Sequence, residues 1–251
     1  MKSYKIAYVN SKGGVGKSTL CMLSSLCLAQ SRFKGKVKLL DTDIQKSSIS
    51  ILADLKTKID LEYVPFNHSS PALGASLLDQ KLKAYPREDE ILLIDTMAQP
   101  PRQLINCLMQ CNAIITPCNL SEVEVMATVE FVRLLDSLKK IQATDHPHLV
   151  IVPNRVPPNQ IHLEGLTGQL KDIDVIIGPT ISDLAILRND LKNLPLKGYK
   201  NNKKLKEQFS GFQKFLYKAL FSGEIDRLLQ KGEQFVDNNI DNENNVVQLS
   251  V

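Results

Sequence analysis

The chain has 251 residues, is 43% hydrophobic and carries a formal net charge of +4. That length and composition allow one sizeable α/β core. No apolar run reaches the roughly 18 residues of a membrane-spanning helix, and five cysteines without framework spacing exclude a disulfide scaffold.

Taken in chain order, the first strand is expected at Ile6–Val9, almost at Met1, with no leader peptide ahead of it. It runs into Ser11–Thr19, SKGGVGKST. An ordinary phosphate loop reads G-x-x-x-x-G-K-[ST]. With Gly16, Lys17 and Ser18 aligned on that pattern, Ser11 stands where the first glycine belongs. The segment fits K-G-G-x-G-K-[ST] instead, the deviant Walker A pattern, which carries two lysines. Gly13, Gly14 and Gly16 let backbone N–H groups converge on an anion, with Val15 and Thr19 completing the nucleotide-binding segment. Lys17 opens a helix, where its ammonium can reach the β- and γ-phosphates and the helix dipole assists. Ser18 offers a hydroxyl to Mg²⁺. Lys12 lies too early to wrap the same phosphates and is better placed to reach a nucleotide held by a second subunit. Leu20–Ala29 then reads as an apolar helix.

Further strands are expected at Val37–Leu40, Ile91–Ile94, Ala113–Thr116, Leu149–Val152 and Val175–Ile177. Helical stretches lie between them, one opened by the capping-box pattern Ser121-Glu122-Val123-Glu124. This alternation predicts a mostly parallel sheet flanked by helices on both faces. Ligands bind beyond the carboxyl ends of such strands, where the loop after Val9, Asp43, Asp95 and Asn154 all fall. Asp95, ending an apolar strand, suits the second shell of a Mg²⁺ through its coordinated water; Asp41 reads as structural or metal-supporting. Cys107 and Cys111 are four apart and raise a metal site, but without a C-x-x-C or a nearby histidine packing is the better reading.

Positive charge gathers near the C-terminus in Arg188, Lys192, Lys197, Lys200, Lys203, Lys204, Lys206, Lys214 and Lys218, opposed only by Asp190 and Glu207. A single domain is expected over 1–231. An acidic, asparagine-rich tail, Gly232 to Val251, is expected to be poorly ordered. No helix-turn-helix or other base-reading module precedes the core, so a basic surface here would meet DNA without reading its sequence. Phe212 to Leu229 also has the residues of an amphipathic helix, including Phe215, Leu216, Leu220, Phe221, Lys214 and Lys218. An acidic tail follows it, and anionic lipid would repel that tail.

Over roughly residues 4 to 220 the chain resembles the ParA/MinD-type deviant Walker ATPases, with a P-loop NTPase fold. The likeness rests on the loop, on Leu39-Leu40-Asp41-Thr42-Asp43-Ile44-Gln45 as the family's D-x-D-P-Q segment, and on Ile91-Leu92-Leu93-Ile94-Asp95-Thr96 as its Walker B strand. Pro117-Cys118-Asn119 and Ile151-Val152-Pro153-Asn154-Arg155 match later strand ends. The resemblance implies a slow, partner-stimulated ATP hydrolase that uses ATP and Mg²⁺ and dimerises in its ATP state. Lys12, Lys17 and Asp43 would be its catalytic residues, Asp43 positioning the attacking water. Asn154 resembles the adenine-contacting asparagine, with a polar strand end as its alternative. It further implies a cytoplasmic, nucleoid-associated protein that binds double-stranded DNA non-specifically, answers to a small stimulating partner, and positions a plasmid, chromosome locus or protein cargo. A MinD-like membrane-associated ATPase is the alternative. A metal-cluster ATPase like the nitrogenase iron protein would need paired cysteines in glycine-rich loops, a setting that Cys107, Cys111 and Cys118 lack. The sequence departs from the family at Ile44, where proline is usual, and at Met97-Ala98, where Pro-Pro or Pro-Gly is usual.

Overall fold

The computed structural model describes residues 4–29, 35–54, 58–66, 69–85, 90–157, 163–183, 207–208, 210–216 and 248–249. Strands and helices alternate along the chain: β1 (Tyr4–Tyr8), α1 (Lys17–Ala29), β2 (Lys36–Asp41), α2 (Ser47–Ala53), β3 (Ile59–Tyr63), α3 (Pro71–Ala84) and β4 (Glu90–Asp95). They continue as α4 (Arg102–Leu108), β5 (Ala113–Cys118), α5 (Glu122–Gln142), β6 (His148–Val156), α6 (Glu164–Gly168), β7 (Val175–Ile177), β8 (Ile181–Ser182) and β9 (Gln248–Leu249). The sheet order is β3-β2-β4-β1-β5-β6-β7-β9, with β8 paired to β6. All pairings are parallel except β7 with β9.

Each central strand is apolar on both sides, because helices cover both faces. Ile6 and Tyr8 point into the layer with α1, α2 and the helical residues 210–216, whereas Ala7 and Val9 point into the layer with α3, α4, α5 and α6. α1 is buried over most of its surface, and its two mid-helix serines bond back to the turn before them: Ser24 Oγ donates to Leu20 O at 2.8 Å and Ser25 Oγ to Cys21 O at 2.9 Å. From β1 the chain runs to one side of the sheet, through β2, β3 and β4; from β4 it crosses to the other, so the crevice lies beside β1.

The six expected strands all form, most of them a residue or more longer than their apolar cores. β3, β8 and β9 are additional. β3 alternates Ile59-Asp60-Leu61-Glu62-Tyr63, the pattern of a half-buried strand, and that alternation is the signal that marks it. Within the 232–251 tail, Gln248–Leu249 form β9; its other residues lie outside those described.

One local expectation is corrected. Ser121 is the N-cap of α5, but no capping box forms. Its hydroxyl donates to Glu124 Oε2 at 2.9 Å instead of accepting a backbone N–H. A carboxylate is the stronger acceptor, so the two side chains satisfy each other, and Glu122 and Glu124 meet the helix dipole by charge.

Candidate functional site

The loop after β1 is set by a residue that the sequence reading passes over. Asn10 is fully buried. Its Nδ2 donates to Pro117 O at 2.8 Å and to Thr128 Oγ1 at 3.2 Å, and its Oδ1 accepts Lys12 N–H at 2.9 Å. The amide therefore ties the departure of the loop to the end of β5 and to α5. A polar residue directly after an apolar strand is the only trace of this in the sequence.

Gly14 and Gly16 take positive φ, 76° and 95°, a region that side chains disfavour. A Cβ on Gly16 would also come within 2.2 Å of Asn154 Nδ2. Three carbonyls of the loop are engaged by side-chain donors. Lys17 Nζ donates to Lys12 O at 2.8 Å, Asn154 Nδ2 to Val15 O at 2.8 Å, and Arg155 Nη1 to Gly14 O at 2.5 Å. With carbonyls held by these donors, the loop N–H groups and the start of α1 suit an anion on the opposite side. Ser18 and Thr19 sit half-buried in the first turn of α1.

The two lysines part company. Lys17 is buried, and burial lowers its pKa against the pull of the Asp95 and Asp43 carboxylates. Lys12 is exposed.

Asp41 and Asp95 are register partners on β2 and β4, and neither has exposed surface. Asp41 is fully engaged: Oδ1 accepts Asp43 N–H at 2.9 Å and Oδ2 accepts Ser48 Oγ at 2.6 Å. It fastens the turn into α2, the structural side of its reading. Among the described residues neither carboxylate oxygen of Asp95 has a hydrogen-bond partner; the Ser18 and Ser48 hydroxyls are near enough to favour its ionised form but do not meet hydrogen-bond geometry. Burial first, then the charge of Asp41, push it up to about 7, while the Ser18 and Ser48 hydroxyls and the Lys17 ammonium pull the other way. Orphaned carboxylate oxygens beside a serine hydroxyl are a hard-oxygen donor set, and they fit Mg²⁺ held through its water.

Asp43 lies half-buried at the rim, where Oδ1 accepts Gln45 N–H at 3.0 Å. Next to it Ile44 is 58% exposed. In the segment after β4, Met97 is buried, Ala98 Cβ lies 3.7 Å from where a Gly13 Cβ would sit, and Gln99 takes a φ of 50°. Of the two departures from the family pattern, the second thus meets the loop, at Gly13.

The structure brings together Lys12 to Thr19, Asp41, Asp43, Asp95 and Asn154. Ser48 and Arg155 join them without having been singled out for the site. The basic residues Arg188, Lys192, Lys197, Lys200, Lys203, Lys204, Lys206 and Lys218 lie outside the described residues; Lys214 is exposed. Phe212, Phe215 and Leu216 are buried in the layer with α1, so this part of the candidate amphipathic helix packs on the sheet rather than facing solvent. No helix among the described residues is long and apolar enough to cross a membrane. Cys107 and Cys111 are buried, and Cys107 Sγ donates to Ala75 O at 3.5 Å.

A family model for the CobQ/CobB/MinD/ParA nucleotide binding domain matches residues 6–196. The maintenance of carboxysome distribution protein A of Halothiobacillus neapolitanus is 24% identical over 195 residues, covering 75% of this chain and 83% of the relative. Apo McdA from Cyanothece superposes with a TM-score of 0.67 at 18% identity, over 86% of this chain and 100% of that one. The septum site-determining protein MinD of Pyrococcus horikoshii, complexed with Mg-ADP, gives 0.63 at 17% identity, over 88% and 98%. With the loop, the buried aspartates and the parallel sheet already in place, the match over most of the chain establishes that this protein belongs to the CobQ/CobB/MinD/ParA nucleotide-binding family.

Proposed function

We propose that the protein is an ATP hydrolase that dimerises around ATP, binds duplex DNA without sequence preference in that state, and positions a cargo. The observation that carries this reading is the split between the two lysines. Lys17 is buried on its own loop, whereas Lys12, four residues before Gly16, faces outward from the same loop. An outward cation at that point suits the phosphates of a nucleotide held by a second copy.

In this scheme the loop N–H groups and Lys17 bind the phosphates, and Ser18 and Asp95 would hold Mg²⁺, the serine directly and the aspartate through water. When bound there, the ion would supply positive charge to the phosphates. Asp43, at the rim, orients a water toward the γ-phosphorus and takes up its proton as the β–γ bridging bond breaks. Lys12 of the partner copy offsets the charge that develops on the leaving oxygen. Asn154 has one amide proton on Val15 O; its contact with the adenine rests on the family resemblance.

The Arg188–Lys218 cluster supports the DNA surface through its charge, and a dimer would set two clusters side by side. Burial of Phe212, Phe215 and Leu216 argues against a membrane helix at that point. The similarity to a carboxysome-distribution protein supports a proteinaceous cargo.

Fluorescence anisotropy with two unrelated duplexes across a salt series tests this, run beside flotation with anionic liposomes. With ATP and Mg²⁺ both duplexes should bind equally, with a log–log salt slope of about −5 to −7 for six to eight phosphates, and ADP should support little binding. Nucleotide-dependent liposome binding without DNA binding would replace this reading with the membrane alternative.

A further inference from the structure

Successive residues of a regular strand point to opposite faces of the sheet. Asn154 and Arg155 are consecutive on β6, yet both reach the phosphate loop, and they bond to the carbonyls of consecutive residues, Val15 and Gly14. What re-aims them is visible in the backbone. Arg155 takes a left-handed φ of 57°, and the β6–β8 pairing shifts register between Asn154 and Val156. An irregularity of this kind beside a site serves to redirect a side chain. A glycine would adopt the same backbone without strain, so the arginine side chain is what the strained position carries.

We propose that Arg155 is a positioning residue of the nucleotide site, acting through the loop and not on the nucleotide. A trans peptide is planar, with its C=O and N–H pointing in opposite directions. Holding Gly14 O therefore fixes the direction of the Val15 N–H, and holding Val15 O fixes that of Gly16. Those two peptides lie between Gly14 and Gly16, the positive-φ residues where the loop turns most freely. Among the described residues, apart from Gly14 and its two chain neighbours, no atom lies within 4 Å of where a Gly14 Cβ would sit, so the space beside that residue is open. The Arg155 guanidinium pins the Gly14 end of this stretch, and the Asn154 amide pins the end beside Gly16.

This role rests on reading residues 11–19 as the nucleotide loop, and the test separates the two. Titration of the full-length protein with fluorescent ADP and ATP, with thermal unfolding in the absence of nucleotide, is applied to wild type, Arg155→Ala, Arg155→Gly and Arg155→Lys. Arg155→Ala and Arg155→Gly should weaken ADP and ATP alike by about tenfold, the loss of one charged hydrogen bond. Arg155→Lys, which keeps a cationic donor, should recover affinity to within about threefold of wild type. Arg155→Gly should at the same time unfold at a midpoint about 2 °C above Arg155→Ala, because both lose the side chain and only glycine relieves the backbone. An equal loss of affinity in two variants of unequal stability cannot come from a general structural prop. Wild-type affinity in Arg155→Ala would overturn the inference, as would an affinity loss that follows stability across Arg155→Ala and Arg155→Gly. If wild type itself binds neither nucleotide, the nucleotide site falls and this role with it.

Discussion

Two groups of charge sit on the same sheet and are treated in opposite ways. On the edge formed by β2, β3 and α3, Glu62 pairs with both Lys38 and Lys81, and Lys38 also meets the Tyr85 hydroxyl and ring. Burial works against the Glu62 carboxylate, but the two lysines prevail and hold its pKa below the ordinary value. At the carboxyl ends of β2 and β4 the reverse holds. Asp95 is more deeply buried than Glu62, and among the described residues its carboxylate oxygens have no hydrogen-bond partner. Its pKa rises to about 7. The first group is finished by the protein alone. The second leaves a buried carboxylate that no group among the described residues satisfies, as the proposed metal site requires.

The largest expected effect concerns Lys12, the exposed cation beside the second group. Lys12→Ala should keep nucleotide affinity but lose the ATP-dependent dimer, with hydrolysis falling ~10³-fold or more, the range of an inserted cation in other nucleotide hydrolases. Asp43→Ala should accumulate the dimer by blocking turnover. Sedimentation with ATP and a phosphate-release assay read both. A Lys12→Ala protein that dimerises and hydrolyses normally would break the split between the two lysines.

The next effect is on stability without nucleotide. Asp95 is harder to ionise folded than unfolded, so as pH rises the unfolded chain loses its proton first and stability falls. The window runs from about pH 4 to about pH 7, and the penalty is complete above it. Asp95→Asn should therefore stabilise the nucleotide-free protein by about 2–4 kcal/mol at pH 8 and by little at pH 4. Urea unfolding at the two pH values measures it; an equal effect at both would remove the unpaired charge from the explanation.

The smallest effect belongs to the paired edge. Glu62→Gln should cost about 1 kcal/mol or less at pH 7, because the pairs are partly solvated. With a depressed pKa, Glu62 contributes stability above the unfolded-state value near 4.5, and that contribution is lost as pH falls through the lower folded value. Nucleotide affinity should not change. A Glu62→Gln protein with altered ADP binding would show that the two groups are coupled.

The parts of the site that lie within one short segment are legible in the sequence. The loop carries its own chemistry in Lys12 to Thr19, and Asp43 and Asp95 are visible because apolar strands end just before them. What the sequence leaves hidden depends on pairing between distant strands. Arg155 reaches Gly14 and Asn10 reaches Pro117 only because β1, β5 and β6 are neighbours in parallel register. Nothing local to Arg155 announces its left-handed backbone, since a bulge is a property of two strands and not of one. Ser48 is hidden for a related reason: its bond to Asp41 spans a turn whose shape the intervening residues do not reveal. The fold is more legible than the site because burial on both faces makes the central strands uniformly apolar. β3, at the edge, carries charges and lacks that uniformity.

The central claim is that Asp95 is kept as an unpaired buried carboxylate for the metal that accompanies the nucleotide. Calorimetric titration of Mg-ADP into wild type and Asp95→Asn, at pH 6 and pH 8, tests it most directly. Binding should require the ionised carboxylate, so wild-type affinity should be about tenfold weaker at pH 6 than at pH 8. The Asp95→Asn protein reports the nucleotide's own protonation, and its affinity should be weaker at pH 8 and should lack that tenfold change. Wild type and Asp95→Asn showing the same affinity and the same pH dependence would contradict the account.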